Sequence, residues 1–257
     1  MSTEPILEIE RLSKRFGGVE ALDAVSFRVA RGDVVGIIGP NGSGKTTLIN
    51  CISGFVRPTS GQVRFRGRDI TGRSPNRIAD IGITRTFQIM RPFASLTAAQ
   101  NLTVALASPR ARRTGGWRGG GRHGDRETVS LDILEELGFE RDSRVPHQLA
   151  GTLPTGYLKR LELGRCIAVR PEVILCDEIF SGLSLSETAS LVPLIEKLQE
   201  QGTTLIMVEH RLRELFRLAS RILVLAQGRK IAEGEPGVVM ENRAVREAYL
   251  GTEEAAS

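Results

Sequence analysis

The chain has 257 residues, 40% of them apolar and 25% charged, with a formal net charge of +5. That length holds one large α/β domain, or a domain with an inserted subdomain, and no apolar run reaches the roughly 18 residues a bilayer span needs. The three cysteines (Cys51, Cys166, Cys176) are too scattered for a disulfide framework or a metal site and are expected in the core.

In chain order, "MSTEPILEIE" lacks the basic-then-apolar order of a secretory signal, so a cytoplasmic protein is expected. "ILEIERL" alternates as a strand does, and "AVSFRV" puts Val25, Phe27 and Val29 on one face. Phe16, in "KRFGG" between them, is either half-buried hairpin filler or a stacking platform for an adenine ring. "GDVVGIIG" is denser, as a strand buried on both faces would be. It runs into "GPNGSGKT", which fits G-x-x-x-x-G-K-[ST] and opens the helical "KTTLINCISGF". Gly39, Pro40, Asn41, Gly42, Ser43 and Gly44 would fold into a nest of backbone N–H donors at a helix N-terminus. Lys45 would reach the β- and γ-phosphates, and the Thr46 hydroxyl would hold Mg²⁺. "GQVRFRGRDI" alternates again through Val63 and Phe65, so an antiparallel patch should flank the first buried strand.

Gln88, in "TRTFQ", sits where the texture turns helical. It is an ordinary polar surface residue or an amide that senses Mg²⁺ or water. From about 90 to 165 helices are expected in "LTAAQNLTVALAS" and in "RETVSLDILEELGF", whose Val129, Ile133, Leu134 and Leu137 share a stripe. Between them, 109–125 is rich in Gly and Arg and too poor in apolar groups to order, so a mobile loop is expected. Arg110 to Arg122 could meet anionic lipid or simply be solvated; Trp117 is the sole aromatic there, which argues against a nucleic-acid partner. "LPTGYLKR" reads as a turn entering a basic helix.

The α/β rhythm then resumes. "EVILCDE" is a buried strand ending in Asp177, placed to hold Mg²⁺, and Glu178, placed to orient or deprotonate an attacking water. The alternative is that both acids cap the next segment. "SLVPLIEKLQEQG" is helical, with Pro193 expected to kink it unless the helix starts late. "TTLIMVEH" is a strand followed by His210, either a structural histidine or a γ-phosphate partner. "RLRELFRLA" is a helix and "RILVLAQGRKIAEG" a hairpin. Strands alternating with helices imply a parallel sheet.

The ordered set Phe16, "GPNGSGKTT", Gln88, "LPTGY", "VILCDE", "SGLS" and His210 resembles the nucleotide-binding subunit of ATP-binding-cassette transporters over about residues 5 to 250. "RFGGVEALDAVSFRV", "RTFQ", "LPTGYLKRLELGRCIA" and "REAYLG" are most similar to branched-chain amino acid importer ATPases. The resemblance implies a P-loop NTPase (RecA-like) α/β fold over 5–252. Its parallel-sheet core would take 1–88 and 166–252, with an N-terminal antiparallel β-subdomain, and 89–165 would be an inserted helical subdomain. It implies ATP and Mg²⁺ as cofactors, Lys45, Glu178 and His210 as catalytic groups, and Thr46, Gln88 and Asp177 at the metal. Phe16, the loop through Thr47, and Gln88 would bind nucleotide. Pro154, Thr155 and Gly156 would grip the ATP of a partner subunit. Implied partners are membrane permease subunits, a paralogous ATPase or second copy, and indirectly a solute-binding protein, at the inner face of the cell membrane.

The sequence departs from the family at Tyr157, where Gln is usual, at Ile179, where Pro is usual, at Ser184, where Asn or Asp is usual, and at Pro193. Two other readings remain: a cassette ATPase of an export or soluble system, and a regulatory nucleotide-binding subunit with little turnover.

Overall fold

The computed structural model describes residues 4–114 and 125–253. β1 (Leu7–Phe16) and β2 (Val19–Val29) form a hairpin. β3 (Val34–Ile38) and α1 (Lys45–Ile52) follow, then β4 (Ser60–Phe65), the two-residue β5 (Arg68–Asp69), α2 (Pro75–Ile81) and β6 (Ile83–Arg85). The next stretch is helical: α3 (Ala98–Leu106), α4 (Pro109–Thr114), α5 (Arg126–Glu136), two short 3-10 turns and α6 (Thr155–Ile167). The chain closes with β7 (Val173–Asp177), α7 (Leu185–Glu200), β8 (Thr204–Val208), α8 (Leu212–Leu218), β9 (Arg221–Ala226), β10 (Arg229–Gly234), α9 (Pro236–Glu241) and α10 (Arg243–Glu253).

Two sheets result. The antiparallel one runs β2-β1-β4-β5; the other runs β10-β9-β3-β8-β7-β6, parallel except for β10. The dense apolar strands are buried on both faces because their residues alternate between two cores. Val35, Ile37, Val173, Leu175, Ile206 and Val208 pack toward α1 and the antiparallel sheet. Val34, Ile38, Ile174, Cys176, Leu205 and Met207 pack toward the helices. Val25, Phe27, Val29, Val63 and Phe65 are buried, as their alternation predicts, and so are all three cysteines. Burial pushes the Cys51 thiol up to about 11 and Cys166 up to about 12, so neither is a reactive thiolate. Among the described residues no helix is long and apolar enough to cross a membrane.

The structure corrects two expectations. Residues 109–114 are not loop but the helix α4, held to its neighbours by its arginines. Arg113 pairs with Asp80 at 2.6 Å, and Arg110 donates to the Arg170 carbonyl at 2.8 Å and lies 3.6 Å from Glu172. Paired this way, a basic segment orders without many apolar side chains. Asp125, assigned to the same loop, caps α5 by accepting from the Thr128 N–H at 2.9 Å; residues 115–124 lie outside the described residues. The second concerns Pro193, expected to kink its helix unless the helix starts late, and only the late start is corrected. α7 does not start late but at Leu185, after a Ser184–Glu187 capping box, and its helical assignment continues through Pro193. The carbonyl that proline leaves without a donor belongs to Ala189; both residues are exposed, so water can take the bond.

Candidate active site

The Gly39–Thr46 loop, Gln88, Asp177 with Glu178, and His210 lie at or just after the carboxyl ends of the parallel strands β3, β6, β7 and β8. β3 delivers the Gly39–Thr46 loop to α1. Gly39 has φ +152° and passes so close to β9 that a Cβ would stand 2.0 Å from the Leu225 carbonyl oxygen, so only glycine fits. Lys45 donates to the Gly39 and Pro40 carbonyls at 2.7 and 2.9 Å. Burial lowers its pKa, while the charges of Glu178 and Asp177 oppose that shift. The loop lysine and the two acids of β7 therefore act on one another electrostatically, although about 130 residues separate them in sequence. Thr46 is exposed at the helix start, and Ser43 Oγ is buried without a hydrogen-bond partner among the described residues.

At the end of β7, Asp177 Oδ2 accepts from Arg85 at 2.7 Å. Its Oδ1 is buried and has no hydrogen-bond partner among the described residues. Arg85 also donates to Asn50 and to Ser53, fixing the floor of the site against α1. Glu178 adopts φ +53°, a conformation uncommon for a side-chain-bearing residue. That turn leaves its carboxylate between two other predicted site residues: Gln88 Nε2 donates to Oε2 at 2.8 Å, and His210 Nε2 lies 3.1 Å from Oε1. Glu178 does not cap α7; Ser184 does, accepting from the Glu187 N–H.

Phe16 ends β1, half exposed, with the Lys14 ammonium 4.7 Å from its ring centroid. Pro154 and Thr155 are exposed at the start of α6, and among the described residues no side chain caps that helix. Gly156 is buried, and a Cβ there would stand 2.2 Å from Glu187 Oε1. Among the described residues, the hydrogen bonds of the Gln88–Glu178–His210 cluster do not include these three. The unusual residues have packing reasons. Tyr157 lies edge-on to Phe139 at 4.9 Å, Ile179 is 1% exposed in the core, and Ser184 caps α7.

Three buried ionisable groups around the site escaped the sequence reading. Glu209, between β8 and His210, accepts from the Phe180 N–H at 3.1 Å, and burial pushes its carboxyl up to about 8. Lys159 of α6 donates to the Glu178 carbonyl at 2.9 Å; burial lowers its pKa. Glu162, also on α6, accepts from the Phe87 N–H at 2.8 Å, and burial raises its pKa. The legible signal was an acid directly after a wholly apolar strand for Glu209. For Lys159 and Glu162 it was their spacing of three on one helix face.

The family model described as ABC transporter matches residues 22–181. The chain belongs to the ABC transporter family. A second model, described as the branched-chain amino acid ATP-binding cassette transporter, matches residues 229–255. The chain is 38% identical to the high-affinity branched-chain amino acid transport ATP-binding protein BraF of Pseudomonas aeruginosa, over 97% of this chain and 99% of that one. The crystal structure of an ATP-binding cassette of an ABC transporter in its ADP conformation is similar at a TM-score of 0.82 and 35% identity, covering 97% of this chain and 100% of the other. A dimeric cassette in a post-hydrolysis state, bound to ADP and Pi, is similar at a TM-score of 0.76 and 26% identity, covering 90% and 98%. The ABC chain described here is therefore an ATPase with a P-loop NTPase fold. Cassettes of this family bind ATP and ADP, work with membrane permeases and dimerise.

Proposed function

We propose that this ABC subunit hydrolyses Mg-ATP to power a permease importing small solutes, branched-chain or other hydrophobic amino acids foremost. The observation that carries the chemistry is the Glu178 carboxylate held between Gln88 and His210 at 2.8 and 3.1 Å, within electrostatic reach of Lys45. In this reading the backbone N–H groups of 39–47 and the Lys45 ammonium bind the phosphates, and Phe16 stacks on the adenine. Glu178 takes a proton from the attacking water as oxygen bonds to the γ-phosphorus and the bond to ADP breaks. His210 and Gln88 fix where that carboxylate points.

The residues fit a divalent cation. Asp177 Oδ1 is a buried acceptor without a hydrogen-bond partner among the described residues, and hydroxyl, amide and carboxylate oxygens are the hard donors Mg²⁺ takes. Thr46, Gln88 and Asp177 would hold the ion, which when bound neutralises charge on the β- and γ-phosphates.

The site is completed across a dimer. The N-terminus of α6, which has no side-chain cap among the described residues, offers the N–H donors of Thr155 and Gly156, after the turn at Pro154, to the γ-phosphate held by the other subunit, a paralogous ATPase foremost or a second copy. We assign 1–88 and 166–252 to the nucleotide-binding core and 89–165 to the helical subdomain. Between them lies a groove of about 430 Å³ lined by Phe55, Phe87, Phe93 and Val104, which suits a short helix of the permease. The subunit then sits peripherally at the inner membrane face, reaching a solute-binding protein only through the permease.

The test is co-purification and reconstitution with the permease encoded beside it. Solute-stimulated Mg-ATP hydrolysis supports the proposal. Stimulation by an exported lipid or polysaccharide instead, or ATP binding without hydrolysis in the assembly, overturns it.

A further inference from the structure

Glu178 is held in an unusual backbone conformation, and the groups that hold the turn come from β8, from the residue just after it and from α6. Its N–H donates to the Val208 carbonyl of β8 at 2.9 Å. The N–H of Phe180, two residues on, donates to the buried Glu209 carboxyl at 3.1 Å. The Glu178 carbonyl accepts from Lys159 Nζ at 2.9 Å and from the Ser181 N–H, within the same turn, at 3.2 Å. Lys159 is 4% exposed and feels the carboxylates of Glu162, Glu209, Glu178 and Asp177. Its hydrogen bond nevertheless goes to a backbone carbonyl, which a mere neutraliser of those acids would not need.

Lys159 lies on α6, three residues after Gly156 and four after Thr155, so all three fall on one side of that helix's first turns. It is thus a rigid connection between the turn at the start of α6 and the backbone of the carboxylate beside Lys45.

Resting on the site reading above, we propose that Lys159 is a positioning residue for hydrolysis. It ties the Glu178 backbone to α6, so that whatever settles on Pro154–Gly156 sets the aim of the base in the chain's own site. Lys159 touches no nucleotide in this scheme. Losing it leaves phosphate binding by the Lys45 loop intact and lets the turn at Glu178 drift, and small misplacement of a reacting group has a large effect on rate.

The experiment is steady-state Mg-ATP hydrolysis by the purified full chain and by Lys159→Met and Lys159→Arg, each alone and mixed with the paralogue, with ATP affinity and thermal unfolding measured on the same preparations. Lys159→Met should lower kcat by about tenfold to a hundredfold, with KM and ATP affinity within about twofold. Lys159→Arg, which restores a donor and a charge, should recover much of that loss. Should the Met variant not fold, Lys159→Gln carries the same comparison. An active wild type with an equally active, folded Lys159→Met overturns the inference alone. So does a loss shared equally by kcat and ATP affinity that Arg does not relieve. A wild type that binds ATP but never hydrolyses it, alone or with the paralogue, overturns the site reading itself, and the inference falls with it.

Discussion

Glu209 gives the chain a stability that depends on pH in a calculable direction. Its carboxyl is 2% exposed, and burial pushes it up to about 8 from 4.5, opposed by the Phe180 and Ile179 N–H groups and by Lys159. The folded chain therefore holds this proton more tightly than the unfolded chain does. Between those two values the folded state binds more protons, so stability is greatest below the lower one and falls as pH rises through the upper one. The interval from 4.5 to about 8, at about 1.4 kcal/mol per pH unit, bounds the loss at about 5 kcal/mol. Glu209→Gln keeps a carbonyl oxygen for the Phe180 N–H and has no proton to lose. Above pH 8 the variant should be more stable than the wild type by about 2 to 5 kcal/mol, and near pH 5 the two should nearly coincide. Glu162 shifts in the same direction but is present in both proteins, so the difference isolates Glu209. Urea unfolding without nucleotide across pH 5 to 9, followed by circular dichroism, reads the effect. Parallel pH curves for the two proteins, or a variant less stable throughout, would refute the reasoning.

Two further substitutions test the site from either side. Gly39→Ala forces a Cβ to within 2.0 Å of the Leu225 carbonyl, a contact only backbone movement can relieve. Nucleotide affinity should fall more than about tenfold, with a stability loss of about 1–3 kcal/mol, measured by titration and urea unfolding. Arg85→Met removes the partner of Asp177 from a pair whose side chains are 8% and 1% exposed. An uncompensated buried carboxylate should cost about 3–5 kcal/mol, read as a lower urea midpoint.

Much of this site is legible in the sequence because its parts announce themselves locally. The Gly39–Thr46 spacing, the acids ending "VILCDE" and the histidine after "TLIMV" each sit at the end of a dense apolar strand. In a parallel sheet all those ends meet on one edge. Gln88 gave almost no local signal, yet it reaches Glu178 because β6 pairs beside β7. β6 itself went unread: three residues carry no periodicity. α4 went unread because its order comes from Asp80, Glu172 and the Arg170 carbonyl, all distant in sequence. Lys159 and Glu209 went unread for a similar reason, since a buried charge is recognisable only from what surrounds it. Tyr157 looked like a defect in a binding turn until Phe139 appeared beside it.

The central claim, that Glu178 is the base of an ATP site completed by a second subunit, is tested most directly with Glu178→Gln. The amide can still accept from Gln88 and donate to a neutral His210, so the local geometry is kept and only the proton acceptor is lost. Phosphate release and light scattering would be measured with and without Mg-ATP, for the variant alone and mixed with its paralogue. The account expects hydrolysis to fall by about a hundredfold or more while an ATP-dependent dimer accumulates. A variant that keeps most of the wild-type turnover, or that binds ATP yet stays monomeric alone and beside the paralogue, would contradict it.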